Sequence, residues 1–420
     1  MSECADNIAY NKDELVPPGW LDKNFITDVL SKHEKAPELQ VTDLRFSPAC
    51  LKGEHYASIM FRAKAKYLKE KGDFEKSLII KTMPEEEGHK KDLIGSSPLF
   101  ETEVGMYSKV LPEFERILRQ AGAHTKLCAD CIYHSLEPRK ILIFEDLKET
   151  GFFVLRNREA SKEEVDRAYF KLAKWHAASL KVQEEKPELL KEYTHGLLEM
   201  PQIMQESFMK TGMPYFVELL SNDPELIKYK AYFEQIKPDF LERLKGEWKG
   251  LRDNPEVDQY RVLCHGDLHL RNMMFQYEKG SFKDCMLLDF QISHLFPLTS
   301  DLVYSIYMLM EPEHRWKFWD DFIDYYFFVF RNTLEEIGYK GEMPTEDGLW
   351  ERLRQHKYYE YFFITTFLPL MWALRETSVD FGELLQDDER RRKCYYSEGY
   401  IKDVKKILFR LDLYGYFSDV

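Results

Sequence analysis

The 420-residue chain lacks any apolar run long enough to cross a membrane. Its longest uncharged apolar stretch, residues 361–374, is interrupted by Pro369 and is shorter than the about 20 residues that a spanning helix needs. Residues 1–12 also lack the basic start and the apolar centre of a signal peptide. We therefore expect no membrane span and a cytoplasmic location, and we expect residues 361–374 to form a buried helix.

The sequence also lacks an excess of positive charge. Lys and Arg number 59 against 73 for Asp and Glu, which gives a formal net charge of −14. Proteins that bind nucleic acid broadly do so by neutralising phosphates, so a chain this acidic is not expected to bind nucleic acid. Any phosphate that it handles must be held in a local site, with a metal to balance the charge.

Cysteine is scarce and odd in number, with 7 residues scattered along the chain. In a chain without an export signal this favours free thiols in a reducing compartment over a disulfide framework. Cys128 and Cys131 form a CxxC motif with His134 close behind, but no comparable second pair follows. We interpret the two cysteines as buried thiols rather than as zinc ligands, and their role is left open.

Apolar residues are plentiful, at 44% of the chain, and the aromatics comprise 7 Trp, 25 Tyr and 29 Phe. A length of 420 residues is typical of two or three folded units. The pattern predicts an N-terminal arm with a short helix over residues 1–45, a β-rich lobe over 46–147 and a larger helical lobe over 148–420. The predicted fold class is α+β.

The predicted β-rich lobe starts with an alternating pattern. From Ala57 to Tyr67 every second residue is apolar, which predicts a half-buried strand, and residues 78–81 form the returning strand after a polar turn. Ser97 and Pro98 then predict a helix start, and an apolar stripe follows from Phe100 to Leu111.

The predicted helical lobe has one β-rich interruption. The sequence from Ser161 to Glu164 is a capping box that starts a long helix. Residues 261–290 then contain short apolar strands separated by polar loops. The most informative residues are 265–272 (HGDLHLRN), within this element, and 287–291 (LLDFQ), at its end.

The polar side chains of these two stretches suit phosphoryl transfer. Such a reaction needs a carboxylate near the acceptor hydroxyl, a metal that neutralises the phosphates and a cation on the nucleotide. Asp267 can supply the carboxylate. Asn272 and Asp289 offer the hard oxygen ligands that Mg²⁺ prefers.

The motif His-Gly-Asp-x-x-x-x-Asn followed by Asp-Phe-Gln resembles the small-molecule branch of the protein-kinase-like superfamily, which includes aminoglycoside phosphotransferases and choline kinases. More narrowly, the chain resembles the ecdysteroid-kinase-like family. Further segments carry this resemblance in the family's order: residues 53–58 (GEHYAS), 100–107 (FETEVGMY), 144–147 (FEDL) with 151–152, 172–177 (LAKWHA), 265–275 and 301–302.

This resemblance implies a two-lobed kinase-like fold with ATP and Mg²⁺ in its cleft. Lys81 would be the nucleotide lysine at the end of the third strand, and Glu103 its helix partner. Other nucleotide contacts would come from Gly53 and Ser58 and from the connector that holds Glu145 and Leu147. The loop has a single glycine rather than GxGxxG, and Gln291 stands where protein kinases have glycine, which favours a small-molecule kinase.

The expected activity is transfer of the γ-phosphoryl group of ATP to a hydroxyl of a largely apolar small molecule. The resemblance suggests an ecdysteroid or a hydroxylated foreign compound that is conjugated for detoxification. The alternative is a kinase-like protein that binds a nucleotide or ligand with weak catalysis. A metallophosphoesterase would need an Asn-His pair, which the chain lacks. The acceptor and the oligomeric state are not predicted.

The remaining polar residues near the motifs are interpreted as structural. His176 would brace the catalytic loop, His265 would form hydrogen bonds inside it, and Asp301 would cap a helix. His269, two residues after Asp267, is left open between a structural role and contact with the substrate.

Overall fold

A computed structural model describes residues 12–50, 58–70, 72–84, 97–156, 158–200, 206–377 and 381–418. Gly53, most of the 53–58 motif and the polar loop before Ser97 lie outside this described part. The chain divides into two compact units. The first unit comprises residues 1–115, 126–154 and 273–291, and the second unit comprises residues 116–125, 155–272 and 292–420. The predicted lobe boundaries stay a prediction.

The first unit is built on a five-stranded antiparallel sheet in the order β1-β2-β3-β5-β4. The strands are β1 (Gln40–Pro48), β2 (Ile59–Lys69), β3 (Gly72–Thr82), β4 (Cys131–Ser135) and β5 (Ile141–Glu145). The predicted strand after Ala57 and its returning partner are therefore confirmed as β2 and β3. In β2 the alternate residues Phe61, Ala63 and Ala65 are buried, because successive side chains of a strand point to opposite faces.

The prediction that the sheet begins at Ala57 is wrong, because β1 precedes it. β1 has a bulge between Val41 and Asp43 and carries polar residues at most positions, with few fully buried. Its pattern is therefore too irregular to show a period of two.

The N-terminal helix α1 (Lys23–His33) packs on the sheet, and Asp22 caps its first turn. Ile26 and Leu30 are fully buried in the same core as the strands. Phe25 makes edge-to-face contacts with Trp20 and with Tyr133 of β4. The short helix predicted for the N-terminal arm is thus part of the core of the first unit.

The helical segment that follows carries the predicted apolar stripe. It runs as α2 (Leu99–Gly105), a π-helical turn (Met106–Val110) and α3 (Leu111–Gln120), and its stripe residues Phe100, Val104, Tyr107 and Leu111 are all buried. Its start differs from the prediction, because Pro98 takes the cap position and Ser97 lies outside the helix.

A smaller sheet in the order β6-β8-β9 completes the first unit. Its strands are β6 (Phe152–Phe153), β8 (Met273–Glu278) and β9 (Ser281–Leu287). Lys279 and Gly280 both have positive φ angles at the turn between β8 and β9, as tight hairpins require. Next to this sheet, the backbone of Cys128 forms an isolated β-bridge with Leu287. Cys128 and Cys131 are both present as thiols, but Cys131, in β4, is only partly buried, so the prediction of buried thiols holds for Cys128 alone. Even this partial burial raises the pKa of the Cys131 thiol to about 12.

The second unit is mainly helical. Its helices are α4 (Lys162–Glu185), α5 (Ser207–Asn222), α6 (Lys230–Ile236), α7 (Phe240–Asp253), α8 (Thr299–Met308), α9 (Pro312–Glu336), α10 (Glu346–Gln355), α11 (Lys357–Phe362), α12 (Leu368–Glu376), α13 (Phe381–Gln386), α14 (Asp388–Cys394) and α15 (Glu398–Leu413). A π-helical turn, Phe363–Phe367, joins α11 to α12, so the predicted buried helix is confirmed. The described part of the chain contains no helix that is long and apolar enough to span a membrane.

Two elements at the centre of the second unit set the position of residues 265–272. Helix α4 begins at the predicted capping box, in which Ser161 and Glu164 satisfy each other's backbone groups. It packs against α9 and against β7 (Arg261–Cys264), which pairs with β10 (His294–Pro297). Trp175 of α4 donates its indole N–H to the carbonyl of Leu263, so the strand that leads into the loop is fixed to the core.

Candidate active site

Lys81 is the first candidate residue, and the structure places it in the third strand as predicted. It is 5% exposed at the end of β3. Its Nζ lies 2.6 Å from Oε2 of Glu103 and 3.0 Å from Oδ1 of Asp289. We call Lys81, Glu103 and Asp289 the lysine group. The three residues come from β3, from α2 and from the segment after β9, and the first unit brings them together.

The electrostatics of the lysine group reflect its burial. Burial raises the pKa of Glu103, and the nearby Asp289 carboxylate raises it further, against the opposing effect of Lys81. Burial alone would lower the pKa of Lys81, but the two carboxylates outweigh it and raise that pKa above its ordinary value. A lysine that is fully charged and oriented by two acidic side chains can bind an anion.

Asp289 has an unusual backbone. Its φ of 62° is in the left-handed region, which few residues other than glycine, asparagine and aspartate adopt. The next residue, Phe290, is fully buried and packs edge-to-face on Tyr107 with ring centroids 5.1 Å apart. The sharp turn thus separates a buried ring from a polar carboxylate that faces Lys81.

The remaining predicted nucleotide residues of the first unit have different environments. Ser58 is buried just before β2, and Leu147 is buried at the start of a 3₁₀ turn. Oε1 of Glu145 accepts hydrogen bonds from Nζ of Lys126 at 2.6 Å and from the N–H of Asp130 at 2.8 Å. The side chain of Glu145 is therefore held by neighbours in its own unit.

The second candidate group lies in the loop after β7. We call residues 265–272 the aspartate loop. Nδ2 of Asn272 donates to the backbone carbonyl of Asp267 at 3.0 Å and to its Oδ2 at 2.9 Å, so the two predicted residues are brought together. Asn272 is buried, whereas the side chain of Asp267 stays about one fifth exposed and can be reached by a small molecule.

Asp301 holds the start of the aspartate loop, and the prediction that it merely caps a helix is wrong. It lies inside the first turn of α8, is fully buried, and accepts the N–H groups of His265 at 2.6 Å and Gly266 at 2.8 Å. His176 lies 3.1 Å from its Oδ2 through Nε2 and 2.6 Å from the hydroxyl of Tyr326 through Nδ1. His176 thus acts on the loop through Asp301.

Gly266 is required by the path of the loop. Its φ is 84°, and a Cβ atom at this position would lie 2.4 Å from the backbone oxygen of Ile292. His265 accepts the N–H of Asp267 at Nδ1, 3.3 Å away, which fits the predicted hydrogen bonding inside the loop. The conformation of the loop is therefore determined largely by contacts of its own backbone.

Two further side chains surround the carboxylate of Asp267. Nε2 of His269 lies 3.5 Å from Oδ1, and the hydroxyl of Tyr304 donates a hydrogen bond to the same oxygen. Burial would raise the pKa of Asp267, but His269, Tyr304 and His265 outweigh it and lower that pKa to about 2. The sequence analysis missed Tyr304. The signal that could have found it is its spacing, since a residue three positions after Asp301 shares its face of a helix.

A family model decides the relationship. The model described as the ecdysteroid kinase-like family matches residues 52–339, well over half of the chain. The chain belongs to the ecdysteroid kinase-like family. The predicted resemblance is therefore confirmed, and so is the kinase-like α+β fold class with its β-rich N-terminal part and mainly helical C-terminal part.

Solved structures similar to this ecdysteroid kinase-like chain include three phosphotransferases. A spectinomycin phosphotransferase in complex with AMP is 14% identical, with a TM-score of 0.36, over 89% of this chain and 98% of the other. An aminoglycoside 2'-phosphotransferase in complex with GDP is 13% identical, with a TM-score of 0.36, over 89% and 99%. The choline kinase LicA from Streptococcus pneumoniae is 11% identical, with a TM-score of 0.33, over 80% and 98%. No curated protein matches the ecdysteroid kinase-like chain. The family match carries the assignment.

Proposed function

We propose that the chain transfers the γ-phosphoryl group of ATP to a hydroxyl group of a small, largely apolar acceptor. The observation that carries the proposal is the lysine group, in which a buried lysine is held by two carboxylates. Lys81 and Glu103 are buried and Asp289 is partly exposed, and burying charged groups costs stability that a well-packed apolar core would not lose. A cluster kept at such a cost is explained by a function. Binding the phosphates of a nucleotide is such a function, and membership of the ecdysteroid kinase-like family supports it.

The residues divide the work of the reaction. Lys81, oriented by Glu103, binds the α- and β-phosphates of ATP. Asp267 accepts a hydrogen bond from the hydroxyl of the acceptor and orients its oxygen towards the γ-phosphorus. The bond from that oxygen to phosphorus forms as the bond to the β-phosphate oxygen breaks, ADP leaves with the electron pair, and the hydroxyl proton is released through Asp267.

The donor set also suits Mg²⁺. Asp289 supplies a carboxylate, and Asn272 uses its amide nitrogen on Asp267, which leaves the amide oxygen as the atom for a metal. Hard oxygen donors of this kind suit Mg²⁺ bound to nucleotide phosphates, whose charge the ion would neutralise. We propose that Asn272 and Asp289 hold this ion.

An apolar acceptor is proposed because the chain belongs to the ecdysteroid kinase-like family, and an ecdysteroid is a largely apolar molecule with hydroxyl groups. The rings next to Asp267 do not form a binding surface for it. Tyr304, Phe363, Phe367 and Phe208 pack on one another and are each at most 9% exposed, so they belong to the core of the second unit.

The proposal is tested with ATP, Mg²⁺ and a panel of hydroxylated steroids and other lipids, with phosphorylated products detected by mass spectrometry. We expect Asp267→Asn to bind ATP as the wild type does and to lose turnover by about 10²- to 10⁴-fold. Asp239→Asn, an exposed carboxylate of the same unit, should be fully active. Full activity in Asp267→Asn would remove the assigned role. Nucleotide binding without turnover on any acceptor would instead support a binding protein.

A further inference from the structure

Helix α8 contacts the aspartate loop at two points, one turn apart. Asp301 accepts the N–H groups of His265 and Gly266 at the start of the loop. Tyr304 donates its hydroxyl to Oδ1 of Asp267. Residues three apart lie on the same face of a helix, so one face of α8 fixes both the backbone of the loop and its reactive side chain.

The ring of Tyr304 has little freedom to move. Tyr304 lies in the middle of α8 and is 6% exposed, and its ring packs edge-to-face on Phe363. Its hydroxyl therefore occupies a defined position. A donor fixed in this way restricts the rotation of the carboxylate that it contacts.

The carboxylate of Asp267 is held at both oxygens. Oδ2 accepts from Nδ2 of Asn272 at 2.9 Å, and Oδ1 accepts from Tyr304 and lies 3.5 Å from Nε2 of His269. Without Tyr304, Oδ1 would keep only the longer contact with Nε2 of His269, and the firm contact would be the one at Oδ2. The hydroxyl of Tyr304 fixes the second oxygen and leaves a defined lone-pair direction for the hydroxyl of an acceptor.

We propose that Tyr304 is a positioning residue that fixes the orientation of the Asp267 carboxylate for phosphoryl transfer. The inference rests on the proposed function, since it assigns Tyr304 a role through Asp267. Reactions of this kind depend on alignment, and a small misplacement of a reacting group lowers the rate by about a hundredfold. The hydroxyl of Tyr304, rather than its ring, supplies this alignment.

The structure offers a matched control in the same helix. Tyr307 lies one turn further along α8, is 3% exposed, and donates its hydroxyl to Oε1 of Glu360 at 2.7 Å. Tyr304→Phe and Tyr307→Phe therefore each remove one buried hydroxyl that donates to a carboxylate. The first variant affects Asp267 and the second does not.

The test measures kcat, the KM for the acceptor and the affinity for ATP in wild type, Tyr304→Phe and Tyr307→Phe. The acceptor is the most active compound of the hydroxylated lipid panel, or water, as ATP hydrolysis, if none is phosphorylated. We expect Tyr304→Phe to lower kcat by about tenfold to a hundredfold with unchanged ATP affinity, because alignment rather than nucleotide binding is lost. Tyr307→Phe should keep the wild-type kcat. Equal kcat values in the two variants would overturn the proposal.

A double variant separates positioning from a structural effect. If Tyr304 acts through Asp267, then adding Tyr304→Phe to Asp267→Asn lowers kcat no further, whereas independent effects multiply. Multiplying effects would overturn the proposal. A wild type without any phosphoryl transfer, even to water, would refute the proposed function and this inference together. An active wild type with an unaffected Tyr304→Phe would refute this inference alone.

Discussion

At the scale of single residues, the lysine group shows how a charged cluster is kept in a core. Lys81 and Glu103 are almost completely buried and 2.6 Å apart, and Asp289 adds a second carboxylate 3.0 Å from the lysine. Breaking such a cluster by removing one partner leaves an uncompensated buried charge, so its members are sensitive to substitution. The exception is a replacement that keeps shape and backbone preference.

Asp289→Asn is such a replacement, because asparagine also adopts the left-handed conformation seen at φ 62°. We expect the variant to fold but to lose the gain in ATP affinity that Mg²⁺ provides, since an amide is a weaker metal ligand than a carboxylate. Titration calorimetry with and without Mg²⁺ measures this. Asp73→Asn, at an exposed position of β3, serves as the control. A Mg²⁺ dependence equal to that of the wild type would show that Asp289 does not bind the metal.

At the scale of elements, the conformation of the aspartate loop depends on the close approach of its backbone at Gly266 to the backbone of Ile292. Gly266 has no side chain, and its neighbour Ile292 fills the space where one would be. The loop between β7 and the segment before β10 therefore accepts only glycine at this position. Its conformation is determined by the second unit itself.

Gly266→Ala should destabilise the second unit by about 2 kcal/mol or more, because the left-handed backbone and the clash with the Ile292 carbonyl both act against it. Gly280→Ala is the matched control, with a φ of 83° and open space around the new atom. It should cost about 1 kcal/mol, from the backbone conformation alone. Urea unfolding of both variants measures the difference, and equal losses would show that the contact with Ile292 can relax.

At the scale of the whole molecule, charge pairs that join separate elements make stability depend on pH, because their carboxylates are protonated in acid. Glu34 follows α1 and accepts from Lys69 at 2.9 Å and from Lys76 at 3.0 Å, which joins the N-terminal arm to β2 and β3. Hydrogen bonds from Lys69 and Lys76 lower the pKa of Glu34 to about 2.

A carboxyl group whose pKa is lower in the folded state stabilises the fold above its unfolded pKa of about 4.5, and the benefit disappears as the pH falls towards 2. Glu34→Gln should therefore lower the free energy of unfolding by about 1 kcal/mol at pH 7, a value reduced for solvent screening. The deficit relative to wild type should shrink in acid. Denaturant unfolding between pH 7 and pH 2.5 measures it, with exposed Glu70→Gln as the control. A deficit that does not change with pH would exclude the ion pairs as its cause.

The fold class could be predicted from the apolar patterns and from the resemblance to the kinase-like superfamily. Asp267 and Asn272 belong to the motif that carries this resemblance, and the placement of Lys81 and Glu103 followed from the family's order of segments. Strand β1 could not be predicted, because its bulge and polar residues break the period of two. The roles of Asp301 and Tyr304 could not be predicted either. Their partners lie more than thirty positions earlier in the chain, and only the docking of α8 on the loop brings them together. The catalytic roles of all these residues stay predictions.

The left-handed backbone at Asp289 also bears on how this protein can change over evolutionary time. Aspartate, asparagine and glycine are the residues that adopt such a conformation at little cost. Of the possible substitutions at this position, asparagine and glycine are therefore the two that preserve the fold while removing the charge. If Asp289 holds the metal as we propose, a relative with asparagine or glycine at this position would keep the fold and lose metal-dependent nucleotide binding.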